Sequence, residues 1–165
     1  MSDSNNLMDK NTEEVIELYG ESIKELKRRG VIRTKNVIGE LGEYLAVEYY
    51  TKTPGLPNLL LAPKSTENID AISRNGERYS IKSVTGSSTG KFHNLGDPDD
   101  PVPAHPLFEY IIICIFDENI MLQEILELDW KTFLDNRSWH KTDRAWQLTI
   151  TRKLREQCKV IYQKS

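Results

Sequence analysis

An acid and a base stand at the two ends of a short stretch that reads NIDAISRNGERYSIK (68–82). Two runs of strand-forming residues flank an Asn-Gly turn, so the stretch reads as a β-hairpin. Asp70 lies in the first run and Lys82 in the second. Held on one face, a carboxylate and an ammonium form a catalytic acid and base in one place. Held on opposite faces, they are two surface charges.

The turn decides between these. If Asn75-Gly76 forms a two-residue type I′ turn, Arg74 pairs with Glu77 and Asp70 lies opposite Ile81. Asp70 and Lys82 then point to opposite faces, because side chains alternate along a strand. If Arg74-Asn75-Gly76 forms a three-residue loop with Gly76 left-handed, Ser73 pairs with Glu77 and Asp70 lies opposite Ser80. Asp70, Ser80 and Lys82 then share a face. Both turns suit the residues.

A second source of acids lies upstream, in NVIGELGEYLAVEYY (36–50). Val37, Ile38, Leu41, Leu45 and Tyr49 fall on one stripe of a helix, with Gly39, Gly42 and Ala46 beside it. Each glycine costs a helix about 1 kcal/mol against alanine, which close approach to another backbone, such as a sheet, would offset. Glu43 sits at the rim of the small-residue strip, where it either points into a site at a sheet edge or stays in water; Glu40 lies further round.

Other chemical signals fail. GSSTGKF (86–92) is one residue short of a phosphate-binding loop, and Phe92 stands where Ser or Thr would bind magnesium. No apolar strand is expected to lead directly into it and no helix to follow it. His93, His105 and His140 lack the paired spacing of a zinc site. DPDD (97–100) reads as a solvated loop.

The elements that must position these residues follow from periodicity and turn chemistry. Residues 1–11 read as a disordered tail, and 12–165 as one domain. A helix is expected over 13–29 with Thr12 as its cap, and a second over 36–51. Strands are expected at 59–63, 68–73, 77–84, 108–116, 120–128 and 145–151, with a short helix at 129–136 capped by Asp129. Residues 85–107 read as a long irregular loop, and the last residues as helix or strand. Helices first and then hairpin-connected strands predict an α/β (α+β) fold, a central mixed sheet flanked by helices.

Composition sets the outer bounds. The 165 residues carry a net charge of −3, so the chain is not a broadly basic nucleic-acid binder, although 24–35 and 151–155 are locally basic. No apolar run reaches the ~20 residues needed to span a bilayer, and the N-terminus lacks the apolar core of a signal peptide. Cys114 and Cys158 lie far apart without metal-type spacing. Together these predict a reduced cytoplasmic protein.

Taken in order, the helix GELGEYL, the strand with Asp70 and the strand with Ser-Ile-Lys resemble the PD-(D/E)XK nuclease superfamily, closest to members related to restriction endonucleases and Holliday-junction resolvases. The resemblance covers about 36–84, and 108–116 is a plausible following core strand. GVIRTKNVIGELGEYLA followed by DAI and GERYSIK also looks like an uncharacterised bacterial group assigned to this fold. The resemblance implies a restriction-endonuclease-like core and a metal-dependent endonuclease acting on DNA, in restriction, repair or mobile-element biology. It implies Asp70, Lys82 and Glu43 as catalytic residues. Asp70 and Glu43, with Glu40, would bind Mg²⁺ or Mn²⁺. Arg33, Lys35, Lys64 and Lys91 are candidate phosphate contacts, and a homodimer is compatible with cutting two strands. The chain departs from the pattern at Ser80, where the family carries Glu, Asp or Gln. Serine supplies no anionic ligand, so activity would require Glu43. The alternative is a catalytically inactive nuclease fold that binds nucleic acid or a protein partner.

Overall fold

The computed structural model describes residues 6–165. The chain divides into two compact units, one ending at Leu41 and the other running from Gly42 to Ser165. Part of the expected tail is ordered: Leu7–Asp9 form a 3₁₀ turn capped by the Asn6 side chain. Residues 1–5 lie outside the described residues.

The first unit is built on helix α1 (Thr12–Arg28). Its cap is Asn11, not Thr12. The Asn11 side chain takes the Glu14 amide and Glu14 returns a bond to the Asn11 amide, closing a capping box. Helix α2 (Val37–Lys52) begins in this unit and continues into the second.

The second unit carries a six-stranded mixed sheet flanked by helices, as the order of elements predicts. Its strands are β1 (Leu59–Leu61), β2 (Ala71–Ser73), β3 (Arg78–Val84), β4 (Tyr110–Phe116), β5 (Leu122–Asp129) and β8 (Lys159–Gln163), adjacent in that order. Only β3 and β4 run parallel. The apolar YIIICIF run becomes β4, whose Ile111, Ile112, Ile113 and Cys114 are fully buried between β3 and β5. Asp129 caps α3 (Trp130–Asn136) through the Thr132 amide, as its position predicts.

The strands expected at 59–63 and 68–73 are shorter than their apolar runs. An additional strand, β6 (Ser138–His140), pairs with β7 (Ala145–Gln147), pinned by Trp139 against Trp146. The C-terminal residues are both helix and strand: α4 (Arg152–Gln157) leads into β8.

Each face of the sheet has its own covering. On one, α2 lies close enough that a Cβ added to Gly42 would fall 3.2 Å from Ser83 Cβ and 3.6 Å from Cys114 Cβ. That close approach is the role its composition suggested. Further along, Tyr50 packs edge-on against Tyr79 and donates to Glu127 at 2.5 Å. On the other face, Phe92, Phe108, Phe133, Trp146, Leu148 and Leu154 pack on Ile111 and Ile113. Residues 85–107 contain no helix, but they are anchored: Thr89 and Phe92 pair through their backbones with Leu148 and Trp146.

Candidate functional site

The hairpin takes the three-residue turn. Gly76 has φ +85, its amide donates to the Ser73 carbonyl at 3.0 Å, and the Ser73 amide donates to the Glu77 carbonyl at 2.9 Å. Ala71 faces Tyr79 and Ile72 faces Arg78, which sets Asp70 opposite Ser80. This is the register in which the acid and the lysine can cooperate.

Where β2 begins, Asp70 does something a ladder residue does not. Its amide donates to the Tyr79 carbonyl at 2.8 Å, and its carboxylate Oδ2 accepts the Ile81 amide at 2.7 Å. A side chain thus replaces a backbone acceptor. β3 continues to Val84, leaving its far half without a strand partner on the β2 side. Asp70 is therefore held at an open edge.

Lys82 is held from the opposite side. Its ammonium donates to the Lys91 carbonyl at 3.0 Å and lies 4.5 Å from the centre of the Phe92 ring. Burial pushes the ammonium below its ordinary range, opposed by the charges of Asp70 and Glu43. Burial pushes the Asp70 carboxyl up, opposed by the Ile81 amide and the Lys82 charge. An acid and a lysine that both lose water and feel each other are a common signature of a functional site.

Glu43 is half-buried on α2, next to Gly42. The face that Asp70, Ser80 and Lys82 share is not the one that α2 covers. Ser83 faces α2, whereas Lys82 rests on Phe92 of the opposite covering. Glu43 nevertheless acts on Lys82.

Glu40 does different work. It is 5% exposed, and its carboxylate accepts the Arg33 amide, the Thr34 amide at 2.9 Å and the Thr34 hydroxyl at 2.8 Å. Both oxygens fasten the loop before α2, which leaves this acid little capacity as a metal ligand. Arg33 and Lys35 are exposed on that loop in the first unit, and Lys64 is exposed in the turn after β1. Lys91 is committed to Gln147 and approaches Asp143 at 3.8 Å, while its carbonyl serves Lys82.

Ser80 is 1% exposed, and its hydroxyl has no hydrogen-bond partner. No group of three acidic, histidine or cysteine side chains suited to a metal occurs among the described residues. Two carboxylates remain, Asp70 and Glu43. Magnesium is commonly held by one or two carboxylates plus waters and phosphate oxygens, so the donor type of each residue suits it.

Phe92 and the Lys91 carbonyl were hidden from sequence reasoning because GSSTGKF was judged only as a failed phosphate loop. β3 ends at Val84, and Thr85 separates it from the segment. No helix follows, and the segment pairs with β7 and the residues after it. An apolar Phe92 within a polar loop was the available signal.

Among the described residues, no helix is long and apolar enough to cross a membrane. No protein-family model matches the chain, and no curated protein matches it.

Proposed function

We infer that this protein is a metal-dependent endonuclease that hydrolyses DNA phosphodiester bonds, working in the cytoplasm. The observation that carries this reading is the pairing of Asp70, turned back onto β3 at the ladder's end, with the desolvated Lys82. Asp70 and Glu43 are the residues that would hold Mg²⁺ or Mn²⁺. Such an ion, when bound, supplies positive charge to the scissile phosphate and acidifies water.

The chain's own groups have separate tasks. The Ile81 amide fixes one oxygen of Asp70 and so sets the direction of the carboxylate. Lys82 stabilises negative charge developing on the phosphate, and its anchorage on the Lys91 carbonyl and Phe92 limits where the ammonium can go. Lys64, exposed after β1, is a candidate phosphate contact of the same unit.

The test is cleavage of DNA by the full chain with magnesium and with chelator, for the wild type, Asp70→Ala and Glu43→Gln. Both substitutions are expected to remove magnesium-dependent cleavage while circular dichroism stays unchanged. Cleavage that persists in Asp70→Ala would refute the assignment.

Ser80 favours a second reading, a nuclease fold without activity that binds nucleic acid or a protein partner. Its buried, unpartnered hydroxyl occupies the place of the missing acid. A wild type that shifts DNA in a gel, binds no Mn²⁺ by calorimetry and cleaves nothing would establish a binding module instead.

A further inference from the structure

Helix α1 is strongly amphipathic and yet buries none of its residues. Ile16 and Tyr19 are 64% and 61% exposed, and Val15 is 38% exposed. With about 100° per residue, Ile16, Tyr19, Ile23 and Leu26 fall on one narrow stripe. A helix with such a stripe is ordinarily packed against something. At 17 residues the helix is about 26 Å long, enough for a continuous contact.

The charges select the occupant. The first ten residues carry Glu13, Glu14, Glu17 and Glu21, and the C-terminal end carries Lys24, Lys27, Arg28 and Arg29. Glu25 interrupts the basic end, but its carboxylate is taken by Arg28 and Arg29 at 2.7 and 2.8 Å. An identical helix laid antiparallel meets this gradient with its complement, acid on base at both ends. Glu13 and Lys27 flank the stripe on the same side, so each reaches the other residue of the opposing copy. The apolar layers match as well, Ile16 against Leu26 and Tyr19 against Ile23. A two-fold axis requires this kind of self-complementarity.

We propose that α1 is a dimerisation helix that pairs antiparallel with α1 of a second copy of this chain. One helix pair covers less than the ~1,600 Å² of a standard interface, so the dimer forms and separates with concentration.

The test is sedimentation equilibrium of the full chain from about 1 µM to about 500 µM. The expected mass rises from 19.1 kDa toward twice that value. Ile16→Ser with Tyr19→Ser, both exposed positions, is expected to hold the chain at the single mass with unchanged helicity. Two charge variants give the sharper arm: Glu13→Lys with Glu17→Lys, and Lys24→Glu with Lys27→Glu. Each alone is expected to stay monomeric, and an equimolar mixture to form a heterodimer. A wild type that keeps the single mass throughout overturns the proposal, as does a mixture that stays apart or a charge variant that self-associates like the wild type. Packing of α1 on its own chain would give the first of these results.

Discussion

At the end of the β2–β3 ladder one aspartate, Asp70, is half-buried beside a half-buried lysine, and burial disfavours the charge of each. In the loop at 97–100 three aspartates keep contact with solvent, and two of them, Asp97 and Asp100, line a cleft of about 470 Å³ together with His93, Asp143 and Arg144. Arg144 pairs with Asp97 at 2.6 Å, and Asp100 accepts the Asp97 amide at 2.7 Å, so these acids stabilise their own loop. The loop has more carboxylates, but nothing about them is costly. The hairpin end keeps two groups in an environment that disfavours their charges. Folds tolerate such local conflict mainly where function requires it.

The largest expected difference between the regions is in metal affinity. Asp70→Asn should weaken Mn²⁺ binding about 100-fold, since a coordinating carboxylate is lost, and Asp97→Asn with Asp100→Asn should change it less than about twofold. Calorimetric titration reads both. Equal losses would erase the distinction.

The next effect is on the scaffold. Gly42→Ala should destabilise the protein by about 1–2 kcal/mol in urea unfolding, because the new methyl meets Ser83 on a packed sheet. Ser83→Ala removes the hydroxyl that the methyl would strike, and should recover part of the loss in the double variant. Gly90→Ala, where a Cβ meets nothing, provides the control.

A pH series sharpens the electrostatic side. The folded pKa of Asp70 lies above 3.8, so the folded chain holds this proton more tightly than the unfolded chain. Its contribution therefore makes stability fall as the pH rises from 3.8 through the folded value. Asp70→Asn can keep the bond to Ile81 without the charge. Its stability relative to wild type should grow across that window in metal-free buffer. Lys82 has the opposite sign: its penalty is relieved as the pH rises through its folded value toward 10.5. In Lys82→Met the Asp70 carboxyl should titrate higher still, which carbon-detected NMR would follow.

The smallest effect is at Ser80. Ser80→Ala removes a buried hydroxyl without a partner, so it should be neutral or stabilising by up to about 1 kcal/mol, with cleavage unchanged within about twofold. A large loss of cleavage would place Ser80 in the site.

The parts of this account legible in the sequence are those that rest on local chemistry. Arg-Asn-Gly allowed the left-handed Gly76 that sets the register, and the apolar run at 110–116 could only be a central strand. Asp129 announced the start of α3. The short strands were less legible because their ends are set by tertiary partners. β2 begins only at Ala71 because, although the Asp70 amide still bonds to the Tyr79 carbonyl, the Ile81 amide of β3 is taken by the Asp70 side chain in place of a backbone carbonyl. Helical spacing sets Glu43 at the rim of the small-residue strip and Glu40 further round, but only the structure shows Glu40 tied to the Thr34 loop. Phe92 beneath Lys82 is a contact between segments whose pairing depends on β7. No local pattern encodes it.

The central claim is that Lys82 acts on the phosphate beside a metal held by its acidic neighbours. Single-turnover cleavage of DNA by Lys82→Ala, with Mn²⁺ binding measured on the same sample, tests it most directly. The account predicts cleavage reduced by at least about 100-fold with Mn²⁺ still bound. Cleavage at the wild-type rate would contradict it.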